Sequence, residues 1–128
     1  MQWGQKMFSF LRQQGNKAEE KATAYLKEKG YKILARNFAC KLGEIDIIAQ
    51  DKQNTIVFVE VKQRKTNLFG GGLAAVNKAK QKRITLTAAE YIKKTKINYF
   101  ALRFDIITIT GAELKHYENA FTTHNLTL

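Results

Sequence analysis

Proline is absent from this chain of 128 residues, so its turns must be built on glycine, asparagine and aspartate. Cysteine occurs once, at Cys40, which excludes an intrachain disulfide and fits a reducing cytoplasm. A lone cysteine beside a strand reads as a small buried hydrophobe. His116 and His124 are the only histidines; they lack zinc-ligand spacing and read as surface residues near the chain's end. No apolar stretch approaches the roughly 18 residues that a membrane span requires. Residues 1–14 contain Phe8, Phe10 and Leu11 but no apolar core long enough for a secretory signal. The expectation is a cytoplasmic protein with no membrane partner.

Acidic residues are also scarce: 11 Asp and Glu stand against 22 Lys and Arg, a net charge of +11. The imbalance is uneven. From Val61 to Lys96 there are ten basic residues and one acid, Glu90. Such a field attracts polyanions, above all phosphate backbones. Nucleic acid is therefore the favoured partner. Hydrophobic residues make up 45% of the chain, which excludes a disordered polyelectrolyte and fits one domain with one core.

Periodicity divides the chain into a short N-terminal extension, residues 1–14, and a single domain, residues 15–128. Ala18, Ala22, Tyr25 and Leu26 lie at helical spacing and predict a helix over 17–29, stopped by Gly30. Strands are expected at 31–37, with Tyr31, Ile33 and Ala35 on one face, and at 44–50 and 56–63; residues 39–43 read as a loop. A long helix over 73–95 follows, with Val76, Ile84, Ala88, Tyr91 and Ile92 as its apolar stripe. A fourth strand lies within 98–110, and a last one ends near Phe121. The order α-β-β-β-α-β-β implies an α/β fold, a central mixed sheet of four to five strands flanked by helices.

Two strings carry the chemistry: Gly43-Glu44-Ile45-Asp46 and Glu60-Val61-Lys62. Charges inside apolar runs are costly to bury unless paired or bound to a metal. Alternation places Glu60 and Lys62 on one face with Ile56 and Phe58, and Glu44 with Asp46 opposite Ile45 and Ile47. The short connection predicts an antiparallel hairpin. With a loop of Lys52-Gln53-Asn54 and Asn54 left-handed, Asp46 opposes Glu60 and Glu44 opposes Lys62. Opposed carboxylates destabilise a sheet unless a cation lies between them. Magnesium takes oxygen ligands and keeps several waters. A lysine on the same face could orient a water or balance charge on a phosphoryl group. Ordinary ion pairs, Glu44 with Lys62 and Glu60 with a neighbouring lysine, explain the spacing equally well.

The fuller run is more specific. Ala18-Glu19, Ala22, Tyr25-Leu26, Gly30-Tyr31, Arg36-Asn37, Gly43 to Asp46, Val57 to Lys62 and Lys80 to Arg83 together resemble the YraN-like family of small bacterial proteins. That family resembles the PD-(D/E)xK nuclease superfamily, with a restriction-endonuclease-like core and a relation to archaeal Holliday-junction resolvases. The resemblance covers about Gly15 to Ile109; Ile45 stands where the motif's proline would, and Ala39 where the family often has arginine. It implies a nuclease-like domain that holds Mg²⁺ or Mn²⁺ through Asp46, Glu60 and the Val61 carbonyl, with Glu19 acting through water. Lys62 would be catalytic; Glu44 would be a ligand, a support for the ligands or the ion-pair partner of Lys62, and Gln63 a support for the ligands. On spacing alone Glu19 is an ordinary first-turn acid favoured by the helix dipole; only the resemblance moves it into the site.

Arg64, Lys65, Lys80 and Arg83 are the candidate phosphate contacts, Lys80 and Arg83 lying three apart on one edge of the long helix. Gly70-Gly71-Gly72 lacks the spacing and lysine of a P-loop. Trp3, Phe8 and Phe10 could stack on bases, mediate a homodimer or pack as a staple. The sequence thus points to a metal-dependent endonuclease acting on DNA, including branched DNA. The alternatives are a non-catalytic nucleic-acid-binding module on the same fold, or an RNA-directed enzyme.

Overall fold

The structure, a computed structural model, describes residues 17–65 and 76–122. Helical residues 17–28 form α1; the other elements are β1 (Lys32–Cys40), β2 (Gly43–Gln50), β3 (Thr55–Arg64), α2 (Lys78–Thr95), β4 (Ala101–Thr110) and β5 (Glu113–Phe121). The strands make one sheet in the order β1-β2-β3-β4-β5. All neighbours are antiparallel except β3 and β4, which run parallel because α2 carries the chain from the end of β3 back to the start of β4. The expected α/β architecture and element order are present.

Each face of the sheet carries one helix, which explains why its central strands read as continuous apolar runs. Ile56 and Phe58 of β3 pack with Ile84, Ala88 and Tyr91 of α2. Val57 and Val59 pack with Ala18, Ala22 and Leu26 of α1. On the α2 side, Phe58, Phe104 and Phe121 form a stack with centroids 5.4 and 5.0 Å apart, and Tyr91 meets Phe38 edge-on at 5.2 Å. Such pairs contribute about 0.5–1.5 kcal/mol each beyond their burial.

The β2–β3 hairpin has the expected register. Asn54 is left-handed at φ 64, Asp51 and Thr55 close the turn through a 3.0 Å backbone bond, and Ile47 pairs with Val59 and Ala49 with Val57. Several boundaries differ from expectation. β1 continues to Cys40, and the loop expected over 39–43 shrinks to a turn at Lys41-Leu42, because Ala39 pairs with Glu44 and Cys40 with Gly43. A register shift between Ile33 and Ala35 turns Ala35 to the α2 side while Ile33 stays on the α1 side. α2 starts at Lys78, since the Asn77 side chain accepts the Lys80 N–H and caps the helix. β4 (Ala101–Thr110) falls within the expected 98–110. The N-terminal extension with Trp3, Phe8 and Phe10, residues 73–75, the three glycines and His124 lie outside the described residues.

Candidate active site

The strands of the hairpin part where the two strings meet. In an antiparallel ladder hydrogen-bonded pairs alternate with open ones. Counting from the bonded pair Asp51–Thr55, the Val61 N–H should donate to Ile45; it donates instead to Asp46 Oδ2, at 2.8 Å. The ladder between β2 and β3 ends at Ile47–Val59, so the expected oppositions of Asp46 with Glu60 and Glu44 with Lys62 fall beyond it. A carboxylate therefore replaces a backbone carbonyl at the point of divergence, held against the strand that carries Glu60 and Lys62.

The cause lies on the neighbouring strand. Asn37 is left-handed at φ 52 and sits between the pairs Arg36–Ile47 and Phe38–Ile45, across from Asp46. Arg36 consequently meets Glu19 on the α1 side, whereas Phe38 packs on the α2 side. β2 follows: Ile47 joins the α1-side core and Ile45 the α2-side core. The expectation that Ile45 and Ile47 share a face is thus corrected, because the alternation changes phase at Asp46.

Glu60 faces α2 and is buried, its side chain 10% exposed. Its Oε1 lies 3.0 Å from Lys80 Nζ and 3.5 Å from Lys62 Nζ. The expected Glu44–Lys62 ion pair is replaced by this three-way contact, since Lys62 turns to the carboxylate two residues before it on its own strand. Glu44 is exposed and lines a cavity of about 290 Å³ with Gly43, Asp46, Glu60, Lys80 and Arg83. A Cβ on Gly43 would stand 3.0 Å from Thr87 Oγ1, so the glycine permits α2 to approach the start of β2 and close this cavity.

Glu19 approaches from α1, its Oε2 3.6 Å from the Arg36 guanidinium and buried without a hydrogen bond. Burial, then the charge of Glu60, pushes the Asp46 carboxyl up to about 7 against the Val61 hydrogen bond; Glu19 and Glu44 add to the rise. Burial and a hydrogen bond from Lys80 lower Lys62, against the pull of Glu60. Burial would lower Lys80 too, but its bonds to Lys62 and Glu60 raise it overall. Gln63 is exposed and on the strand's other phase from Lys62, and Lys65 is exposed at the end of β3. Arg64 is half-buried with an unbonded Nε.

Among the described residues no three His, Cys, Asp or Glu side chains form a ready metal cage. The oxygen donors still suit a hard divalent cation that keeps several waters: Asp46, Glu60 and the Val61 carbonyl. Crowded negative charge around Asp46 and the unbonded Glu19 oxygen both favour a cation there.

A second polar cluster lies on the α1 side, and sequence reasoning missed it. Asp105 is 1% exposed and accepts from Arg103 Nε at 2.9 Å and from the Asn119 N–H at 2.9 Å. Its Oδ2 lies 2.7 Å from His116 Nε2, and His116 Nδ1 lies 3.0 Å from the Tyr25 hydroxyl. Arg103 also donates to the Tyr31 hydroxyl at 2.7 Å. His116 is thus no surface residue; its side chain is 6% exposed. The signal available was Asp105 itself, an acid inside the apolar run Phe104 to Ile109.

These features define a class: a mixed-sheet α/β protein with an acid–lysine site at the open end of its central hairpin. The chain belongs to UPF0102: its residues 18–109 match the model described as Uncharacterised protein family UPF0102. A UPF0102 protein of Clostridium tetani is 50% identical over 103 residues, covering 80% of this chain and 84% of its own. One from Sulfurihydrogenibium is 44% identical over 110 residues, covering 86% and 95%. One from Persephonella marina is 42% identical over 115 residues, covering 90% and 97%. Among the described residues no helix is long and apolar enough to cross a membrane.

Proposed function

We propose that this protein is a metal-dependent endonuclease hydrolysing DNA phosphodiester bonds, with branched or junction DNA of repair and recombination as its substrate class. One observation carries the reading: Asp46, bound to the Val61 N–H, stands beside Glu60 and Lys62 where β2 and β3 part. Asp46, Glu60 and the Val61 carbonyl would hold Mg²⁺ or Mn²⁺, with Glu19 reaching it through water. When bound, the ion would lower the pKa of a water and polarise a phosphoryl oxygen. The Val61 N–H fixes one Asp46 oxygen and leaves the other for this work. Lys62 sits on the β3 face that bears Glu60, where its ammonium can orient the attacking water or offset charge on the pentavalent phosphate. Arg83, exposed on the wall of the same cavity, can seat the neighbouring phosphate, and Arg64 and Lys65 extend that track along the end of β3.

The salt-bridged state of Glu60 favours one alternative, a nucleic-acid binder without catalysis. Its carboxylate is already satisfied by two lysines. Labelled linear, single-stranded and four-way-junction DNA, each with Mg²⁺ or Mn²⁺, separates the two. Wild-type protein should cut at least one substrate, and Asp46→Ala and Lys62→Ala should each lose about 10²–10³ in rate. Equal cutting by both variants would place the chemistry elsewhere; binding without cutting by wild type would favour the binder.

A further inference from the structure

Lys80 occupies a helix position that normally takes an acid. Asn77 is the N-cap of α2, so Lys80 is its third helical residue, where Glu or Gln completes a capping box. The positive end of the helix dipole disfavours a lysine there, and no acid shares the first turn. A residue that breaks a local rule needs an offsetting partner elsewhere. That partner is Glu60, at 3.0 Å and across the gap between helix and sheet.

The charges around Glu60 balance when both carboxylates are ionised: Asp46 and Glu60 against Lys62 and Lys80. A divalent ion entering between the carboxylates brings two further positive charges into a mostly buried place. One ammonium must then withdraw, because like charges a few ångströms apart in low dielectric repel by several kcal/mol. Lys62 shares a strand face with Glu60 and stays close to it. Lys80 comes from another element, is 29% exposed and borders the open cavity together with Arg83.

We propose that Lys80 is a built-in stand-in for the metal: it holds Glu60 until a divalent ion displaces it, and is then handed to a phosphate of the nucleic acid. The inference rests on the metal site proposed above and adds its regulation: metal loading and phosphate binding become coupled through one side chain. Reciprocity follows from linkage, since whatever strengthens one binding event strengthens the other equally.

Mn²⁺ binding to the full chain, read by electron paramagnetic resonance without nucleic acid, tests the first half. Lys80→Met should bind Mn²⁺ about tenfold or more tightly than wild type, Lys80→Gln should do the same, and Lys80→Arg should stay near wild type. Asp46→Ala should abolish the site in either background. If Asp46→Ala binds as wild type does, the metal-site reading itself fails. If it abolishes binding while both neutral Lys80 variants match wild type, only the stand-in role is overturned. Fluorescence anisotropy with a short duplex tests the second half. Ca²⁺ should strengthen wild-type binding several-fold more than it strengthens Lys80→Met binding; equal gains would overturn the hand-over.

Discussion

At the residue scale, Asp46, half-buried, and Asp105, fully buried, are carboxylates with opposite pH signatures. Asp46 is raised to about 7 by burial and then by Glu60. Its native form binds a proton that the unfolded chain, near 3.8, has already lost. Its contribution to stability is therefore full below about 4 and disappears as pH rises through about 7. Asp46→Asn keeps an oxygen for the Val61 N–H and removes the charge. Thermal melts should show the variant about 1–2 kcal/mol more stable than wild type at pH 8, a shift of roughly 3–8 °C, with the gap narrower at pH 5 and closed below about pH 4. No gap at pH 8 would mean that the carboxylate is not crowded. Asp105 runs the other way: burial would raise it, but bonds from His116, Arg103 and the Asn119 N–H outweigh that and hold it below the usual carboxylate range. Its contribution persists at neutral pH and is lost as pH falls through its depressed native value. Asp105→Ala strips Arg103, His116 and the Asn119 N–H of their shared buried acceptor, although Arg103 keeps Asp51 at 3.8 Å and the Tyr31 hydroxyl, and urea unfolding at pH 7 should show a loss of about 3 kcal/mol.

At the element scale, the hairpin was legible and its end was not. Loop length and Asn54 sufficed for the register, because a tight turn ties pairing to its own geometry. Period-two alternation assigned Phe58, Glu60 and the valines of β3 correctly for the same local reason. It failed on β2, where Asn37 of a different strand changes the phase; no window along β2 alone contains that information. Asp46, Glu60 and Lys62 are nevertheless brought together as expected, while Lys80's ion pair and the Arg36–Glu19 pair need tertiary packing to be seen. Asn37 is thus the position at which backbone conformation controls the site. Asn37→Gly should leave urea stability within about 1 kcal/mol, because glycine tolerates positive φ. Asn37→Val should cost about 1–3 kcal/mol. It should also weaken Mn²⁺ binding while the protein remains folded, because restored alternation would swing Asp46 away from Val61. Destabilisation with unchanged Mn²⁺ affinity would detach the phase change from the site.

At the scale of the whole molecule, charge and architecture meet on one side. α2 packs against the sheet through Ile84, Ala88 and Tyr91 and leaves Lys78, Lys82 and Arg83 exposed. Lys80 and Arg83 border the cavity that holds Asp46 and Glu60, so the acids sit inside a basic rim. On the proposed function, a rim of this kind would draw a phosphate backbone over the carboxylates irrespective of base sequence. Binding to a short duplex in Ca²⁺ should therefore weaken steeply with salt; about six phosphate contacts would cost roughly 10³ in affinity between 50 and 200 mM salt. Arg83→Ala should lower the slope of log affinity against log salt by about 1 and weaken all duplex sequences alike. Among the described residues Arg83 forms no ion pair with an acid, so its removal should leave Mn²⁺ binding unchanged. That separates the rim from the centre: a variant defective in the rim loses salt-sensitive affinity and keeps the ion, whereas Asp46→Ala loses the ion and keeps the slope. An unchanged slope in Arg83→Ala would move the nucleic-acid track away from this wall of the cavity, and the carboxylates would then lack a reason to face it.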